Sequence, residues 1–376
     1  MKKNRKGKNM NIKVEYKNKD GKFPEFLQKL SKKTVSVVCD ANTKPFADKI
    51  IKDLEDVGAK ISLIFFDDKD LIPDEYVVEE TTKGAKNTDY LLAVGSGSLN
   101  DVAKAVSTTL DIPCGVLATA ASMDGYCSKG SALMRGGFKV TDVVHTPEDV
   151  LIDADIIKTA PKLMTASGFG DIAGKFTCLT DWEMANIVKG EEINQKAFKM
   201  MEEARTKTMD AFDGLTKYEP KAIEILTDAL IMAGISMAEC GNSRPASGSE
   251  HHVSHFLEMD FVRRGERVPL HGVKVAIGTL MSIEIYNYIK DNKIQFNGCE
   301  KVYELVDKLP KVEDLKAMLE KMGCPVRFSE IGVREETFLE MVEKAHTVRD
   351  RYTILTLASE LGLTESLKPI LLRKFY

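Results

Sequence analysis

Four of the six histidines fall within 21 positions, in the run Ser243-Arg-Pro-Ala-Ser-Gly-Ser-Glu-His-His-Val-Ser-His255 and then at His271-Gly272. Imidazole is the commonest protein ligand for divalent transition metals. His251 and His255 are four apart, so on a helix they lie on one face. A carboxylate would complete a three-ligand site with open positions. Asp171 is the candidate, preceded by Gly170 in the small-residue run 166–174, which reads as a loop. A lone histidine is more often a hydrogen-bonded core residue than a ligand. His251, His255 and His271 beside a Gly-flanked Asp bring metal binding into contention.

A second kind of chemistry is written in Ala93-Val-Gly-Ser-Gly-Ser-Leu-Asn-Asp101, which follows an apolar run and opens a helical pattern. Glycines there let a ligand approach the backbone, and the first N–H groups of a helix attract phosphate. A plain strand-to-helix turn has the same appearance. In the usual dinucleotide fold the glycines precede the acidic ribose-binding residue. Here Asp40, which ends an apolar run, comes about 55 residues before Gly95, and the third glycine of the fingerprint is missing. The segment is either another nucleotide-binding topology or no nucleotide site, and Asp40 either meets a ribose or ends a turn. Thr119-Ala-Ala-Ser-Met-Asp-Gly-Tyr-Cys-Ser128 is another small, hydroxyl-rich loop after a strand, in the place where open α/β sheets bind ligands.

These loops need elements to hold them. Short β-branched runs at 34–39, 60–66, 90–94 and 115–118 alternate with amphipathic stretches such as 45–57 and 100–108. That alternation predicts a parallel sheet covered on both faces. After Ile157 the pattern is helical: 193–212, 220–239, 301–309, 312–322 and 335–350. The reading is a basic tail (1–13), an α/β dinucleotide-binding domain (14–157) and an all-α domain binding metal and substrate (158–376), with the site expected in the cleft between domains.

Composition narrows the partners. Net charge is −4, so no basic excess exists to hold nucleic acid. Residues 1–13 carry six Lys or Arg without the apolar run of a signal peptide, and are expected to be a disordered, solvated tail. The apolar stretch 229–238 is too short to span a bilayer, which takes about 20 residues, and reads as a buried helix. Seven scattered cysteines with no Cys-x-x-Cys fit a reducing compartment.

Taken together, Gly95-Ser-Gly-Ser-Leu-Asn-Asp101, Thr119-Ala-Ala-Ser-Met-Asp-Gly125, Gly170-Asp171, the 243–255 run and His271-Gly272 resemble the sn-glycerol-1-phosphate dehydrogenases. These are grouped with glycerol dehydrogenases, iron-type alcohol dehydrogenases and dehydroquinate synthases. The resemblance covers about residues 30–290. It implies a dehydroquinate synthase-like fold and reversible NAD(P)-dependent reduction of dihydroxyacetone phosphate to sn-glycerol 1-phosphate. The implied metal ligands, which carry catalysis, are Asp171, His251 and His271, and the implied substrate contacts are Asp124 and His255 beside Asp171. The implied cofactor contacts are Gly97, Ser98, Leu99, Asn100 and Asp101, then Thr119, Ala120, Ala121 and Ser122, with Ser128 close by.

Departures sort the relatives. Position 175, four after Asp171, is Lys where iron-type alcohol dehydrogenases carry a histidine, so a fourth ligand is absent. Dehydroquinate synthases have Glu at the place of Asp171. Glycerol dehydrogenases share the Asp, His, His set, and what separates them is phosphate binding, for which Lys175 and Arg244 are the candidate charges. The ligand set suits Zn²⁺ or Ni²⁺, with Fe²⁺ possible, acting as a Lewis acid on the carbonyl. Asp40 at the ribose would favour NAD over NADP. The expected enzyme is a cytoplasmic homodimer acting on a small molecule, with no nucleic-acid partner and no stable membrane insertion. The alternatives are a glycerol dehydrogenase for the unphosphorylated triose and a lyase or cyclase of the dehydroquinate synthase type.

Overall fold

The computed structural model describes residues 12–376, so the basic tail expected over 1–13 lies almost wholly outside the described residues. The described residues divide into two compact units: 12–119 with 129–133 and 141–153, and 120–128 with 134–140 and 154–376.

The first unit is a six-stranded parallel sheet. In chain order it contains β1 (Lys13–Tyr16), α1 (Pro24–Leu30), β2 (Thr34–Asp40), α2 (Lys44–Asp56), β3 (Lys60–Phe66), α3 (Glu75–Ala85), β4 (Tyr90–Gly95), α4 (Gly97–Leu110) and β5 (Cys114–Ala118). A hairpin of β6 (Gly130–Arg135) and β7 (Phe138–Val143) follows, then β8 (Asp149–Ile152). The sheet order is β1-β8-β5-β4-β2-β3. β4 and β5 are buried at every residue, which is why they read as unbroken apolar runs rather than alternating ones. Strand order turns back on itself between β2 and β4, which pair directly, with Cys39 opposite Val94. Asp40 and Gly95, the next residue on each strand, are therefore neighbours at the carboxyl ends, where open α/β sheets bind ligands. The unusual order of acidic residue and glycines follows from this topology. β1 and β8 escape the sequence reading because each has four residues, and the hairpin because its strands are mostly half-buried or exposed and form no long apolar run.

The second unit is helical apart from the hairpin tip. It contains α5 (Ala154–Ile157), α6 (Lys162–Ala173), α7 (Lys175–Lys189), α8 (Gln195–Asp210), α9 (Phe212–Thr216), α10 (Pro220–Cys240), α11 (Ser249–Arg263), α12 (His271–Asp291), α13 (Cys299–Val306), α14 (Val312–Lys321), α15 (Glu335–Lys344), α16 (Ile354–Glu360) and α17 (Thr364–Phe375). α12 is the hub, packing on α6, α7, α11, α13, α14, α16 and α17 and buried over most of its length. A helix buried all round carries no clean amphipathic stripe, so α6, α7, α11 and α12 are among the helices that periodicity misses. No helix among the described residues is long and apolar enough to cross a membrane. All seven cysteines are free thiols.

Candidate metal centre and nucleotide loop

In the second unit, Asp171, His251 and His271 converge. Their donor atoms all lie within 4.8 Å of one another. Three helices supply them: Asp171 in the last turn of α6, His251 in the first turn of α11, and His271 as the first residue of α12. Residues 166–173 are therefore helix, with Gly174 the turn into α7, not the loop that their small side chains suggest. Those residues are small because helices meet there. A Cβ on Gly272 would stand 1.8 Å from the Ser167 carbonyl oxygen, and one on Gly168 2.1 Å from that of Ala121. The Ser167 hydroxyl ties the contact, donating to the Ser122 carbonyl (2.9 Å) and accepting from the Gly272 N–H (3.0 Å).

The separations fit a metal. His251 Nε2 is 3.2 Å from His271 Nε2 and 3.7 Å from Asp171 Oδ1, and His271 Nε2 is 4.0 Å from Asp171 Oδ2. Ligands about 2.0–2.2 Å from one tetrahedral ion stand roughly 3.3–3.6 Å apart. Burial first, and neighbouring positive charge second, hold His251 well below the usual histidine range. Burial pushes His271 down to about 3. Both are thus neutral at pH 7, the form that ligates. Glu250 orients His251: its Oε1 lies 2.8 Å from Nδ1, and Oε2 accepts from the Thr177 hydroxyl (2.6 Å). The hydrogen-bond network assigns the proton to Nδ1 and leaves the Nε2 lone pair facing the triad. Asp181 fixes the start of α11 by accepting the Ser249 N–H (2.7 Å).

Asp124 is beside the triad. Its N–H donates to Asp171 Oδ2 (3.0 Å), and its Oδ2 accepts from Lys175 Nζ (2.7 Å). Burial, then repulsion from Asp171, raises its carboxyl above the usual range. His255 lies one turn from His251, with ring centroids 6.2 Å and 6.1 Å from those of His251 and His271. His252, on another face, is fully buried, and its ring nitrogens have no hydrogen-bond partner among the described residues.

The two charges expected at phosphate are committed elsewhere. Lys175 is fully buried, and its ammonium also donates to Asp171 Oδ1 (3.1 Å) and the Ala246 carbonyl (2.8 Å), which takes all three of its N–H bonds. Burial opposes that charge, but Asp124 and Asp171 outweigh it and hold the lysine above its ordinary value. Lys175 therefore neutralises two carboxylates and has no proton left for a phosphate. Arg244 is buried in a short 3₁₀ turn, paired with Glu191 (2.9 Å) and bonded to the carbonyls of Asp181 and Tyr352. It braces the segment that leads to His251. Sequence reasoning missed Glu250 and Glu258. Glu258 had a signal, its i, i+3 spacing from His255. Glu250 had none, since adjacent helical residues do not ordinarily face one another.

In the first unit, Gly97, Ser98 and Leu99 form the first turn of α4, which no side chain caps. A Cβ on Gly95 would meet Leu99 Cδ1 at 2.5 Å, so glycine is required for the tight exit from β4. Asn100 is buried, and Asp101 accepts from the Ala132 N–H and pairs with Lys104 (2.8 Å). Thr119 follows β5 and donates its N–H to the Gly95 carbonyl (3.1 Å). Asp40 Oδ1 accepts from the N–H groups of Asn42 and Thr43 and the Thr43 hydroxyl, so Asp40 builds its own turn and keeps Oδ2 outside that network. Ala120, Ala121 and Ser122 belong to the second unit and are buried, with Ser128 half-buried.

Residues 15–161 match the model of the iron-containing alcohol dehydrogenase family. The chain is 33% identical to an NAD(P)+ glycerol-1-phosphate dehydrogenase of Halalkalibacterium halodurans, over 90% of this chain and 89% of that one. It is likewise 33% identical to the protein of the same name in Bacillus licheniformis, over 92% and 87%. Among solved structures, an iron-containing alcohol dehydrogenase of Thermococcus thioreducens superposes with a TM-score of 0.71 at 18% identity, covering 97% of this chain and 98% of that one.

Proposed function

The chain belongs to the glycerol-1-phosphate dehydrogenases, and we propose that it reduces dihydroxyacetone phosphate to sn-glycerol 1-phosphate with NAD(P)H at a divalent metal. The convergence of Asp171, His251 and His271, with Glu250 orienting His251, is the observation that carries this reading. When bound, the metal supplies a Lewis acid for the carbonyl and the nicotinamide supplies a hydride; a proton completes the alcohol.

The chain's own residues do the rest. Asp171, His251 and His271 hold the ion, and Lys175 keeps the buried Asp124–Asp171 pair from accumulating negative charge. Asp124 and His255 position the substrate. The uncapped first turn of α4, Gly97 to Asp101, receives the pyrophosphate, with Thr119, Ala120, Ala121, Ser122 and Ser128 along the cofactor. Asp40 Oδ2 takes the adenosine ribose hydroxyls and favours NAD. We assign zinc or nickel, with Fe²⁺ also admissible, since a redox-inert ion meets the need. We read the enzyme as a cytoplasmic homodimer, in keeping with its free thiols.

The test is NADH oxidation by dihydroxyacetone phosphate against dihydroxyacetone, before and after chelation. The phosphorylated substrate should be preferred by about 10²–10⁴-fold in kcat/KM, the yield of two charge-assisted contacts. Chelation should abolish turnover, and zinc or nickel should restore it. Equal use of dihydroxyacetone would make the enzyme a glycerol dehydrogenase. Product formation without NADH consumption would indicate chemistry of the dehydroquinate synthase type.

A further inference from the structure

A cationic surplus borders the metal triad within the second unit, and it rests on residues other than Lys175 and Arg244. Lys139, at the hairpin tip, is 2.5 Å from Glu258 Oε1. The fully buried ammonium of Lys274 lies 3.6 Å from the same oxygen and donates to the Pro269 carbonyl (2.8 Å). His255 Nδ1 faces the other oxygen of Glu258 at 3.4 Å. Arg349 joins the group from the segment between α15 and α16. It is half-buried, and its guanidinium's one hydrogen bond among the described residues is to the Ser243 hydroxyl at 3.3 Å. The short 3₁₀ turn just before it, Ala345–Thr347, packs on α11, the helix that carries His251, His255 and Glu258. The guanidinium of Arg351, beside Arg349, donates to the Ser243 hydroxyl and the Ser247 carbonyl. Lys139 and Lys274 both pair with Glu258, and Arg349 has no carboxylate within ion-pair distance among the described residues, so three cations stand beside one carboxylate.

A partly desolvated guanidinium without a carboxylate is costly unless a ligand supplies the missing charge. The surplus of two positive charges matches a phosphate dianion. Its distance is suitable too: in a triose phosphate the phosphorus is three bonds from the carbonyl carbon, so a carbonyl at the triad puts the phosphate about one side chain away. His255, whose ring is 6.1 Å from that of His271, marks that radius.

We propose that Arg349, assisted by Lys139 and His255, forms the subsite for the substrate's phosphate and sets the preference for a phosphorylated triose. The inference rests on the functional reading above and replaces Lys175 and Arg244 in this role. A guanidinium offers two parallel donors to phosphate oxygens, which a single ammonium does not.

The experiment compares wild type, Arg349→Met, Arg349→Lys and Lys139→Met with dihydroxyacetone phosphate and dihydroxyacetone. It also measures competitive inhibition by inorganic phosphate, KM for NADH and NADPH, and metal content. Arg349→Met should lose about 10- to 100-fold in kcat/KM for the phosphorylated substrate, mainly through KM, and much less for dihydroxyacetone. Phosphate inhibition should weaken by a similar factor, Arg349→Lys should recover part of the loss, and metal content should hold. A raised KM for either nucleotide with an unchanged one for the triose phosphate would assign Arg349 to the cofactor's phosphates and overturn the proposal. If Arg349→Met fails to fold, Lys139→Met decides on the partly exposed hairpin tip, where an unchanged substrate ratio and phosphate inhibition would overturn the subsite. A wild type without preference for the phosphorylated triose sinks the functional reading. Loss of phosphate inhibition in Arg349→Met would still support the anion site.

Discussion

The two histidines of the triad and the one beside it are separable by what they leave behind. His251 and His271 present facing Nε2 atoms 3.2 Å apart, whereas the nearest polar partner of His255 is Glu258. His251→Ala or His271→Ala should purify with little metal and lose on the order of 10³-fold or more in kcat, because charge stabilisation of the developing alkoxide goes with the ion. His255→Ala should keep its metal and show a raised KM or a lowered kcat. Elemental analysis beside steady-state kinetics checks this. Full occupancy in either of the first two would remove that residue from the ligand set. At this scale the sequence was most legible for residue types with few other uses, since clustered histidines and a Gly-flanked Asp stand out unaided. It was least legible for cations, because lysine and arginine are common everywhere and their partners are set by folding.

The elements act through close approach. Asp171 and His271 belong to α6 and α12, which cross where Gly170 and Gly272 leave no room for a methyl group. The methyl of Gly272→Ala would meet the Ser167 carbonyl, backbone that cannot rotate away, and the helices would have to separate. We expect a destabilisation of about 1–3 kcal/mol or more, as for overpacked cores, with weakened metal affinity because the two ligands move apart. Gly136→Ala, at the hairpin turn, is the contrast: its Cβ would meet nothing, and its cost is confined to a φ of +56°. Thermal melts and metal titration of both variants read the difference. A Gly272→Ala protein as stable and as well metallated as wild type would refute this account of the crossing. Small residues signal both loops and tight helix crossings in a sequence, so 166–174 could be misread from composition.

For the whole molecule, the candidate metal triad and the glycine loop fall in different units. The triad and its supporting Glu250, Asp124 and Lys175 belong to one unit, and the glycine loop with Asp40 belongs to the other. Removing the metal should therefore destabilise through the helical unit. The loss is about 4 kcal/mol when free metal is about 1,000 times its Kd. NADH binding, read by fluorescence quenching at 25 °C, should survive chelation with at most a several-fold change in Kd. Loss of NADH binding together with metal would show that the nucleotide loop depends on the metal-bearing unit.

The sequence by itself determined the fold class and the ingredients of the site. Strand–helix alternation followed by helical periodicity is a local property of the chain, and so are the glycines after β4 and the histidines of α11 and α12. The tertiary structure decided how those ingredients are employed. Sheet order made Asp40 and Gly95 neighbours although they are far apart in the chain. Helix crossings brought Asp171 to two histidines 80 and 100 positions away. Packing also committed Lys175 to two carboxylates and Arg244 to Glu191, and left Arg349, in a stretch without any recognisable motif, with no carboxylate within ion-pair distance among the described residues. The physical reason is range. Propensity and periodicity act over a few residues and are read directly from the chain, but a charge's role depends on which opposite charge folding places within a few ångströms.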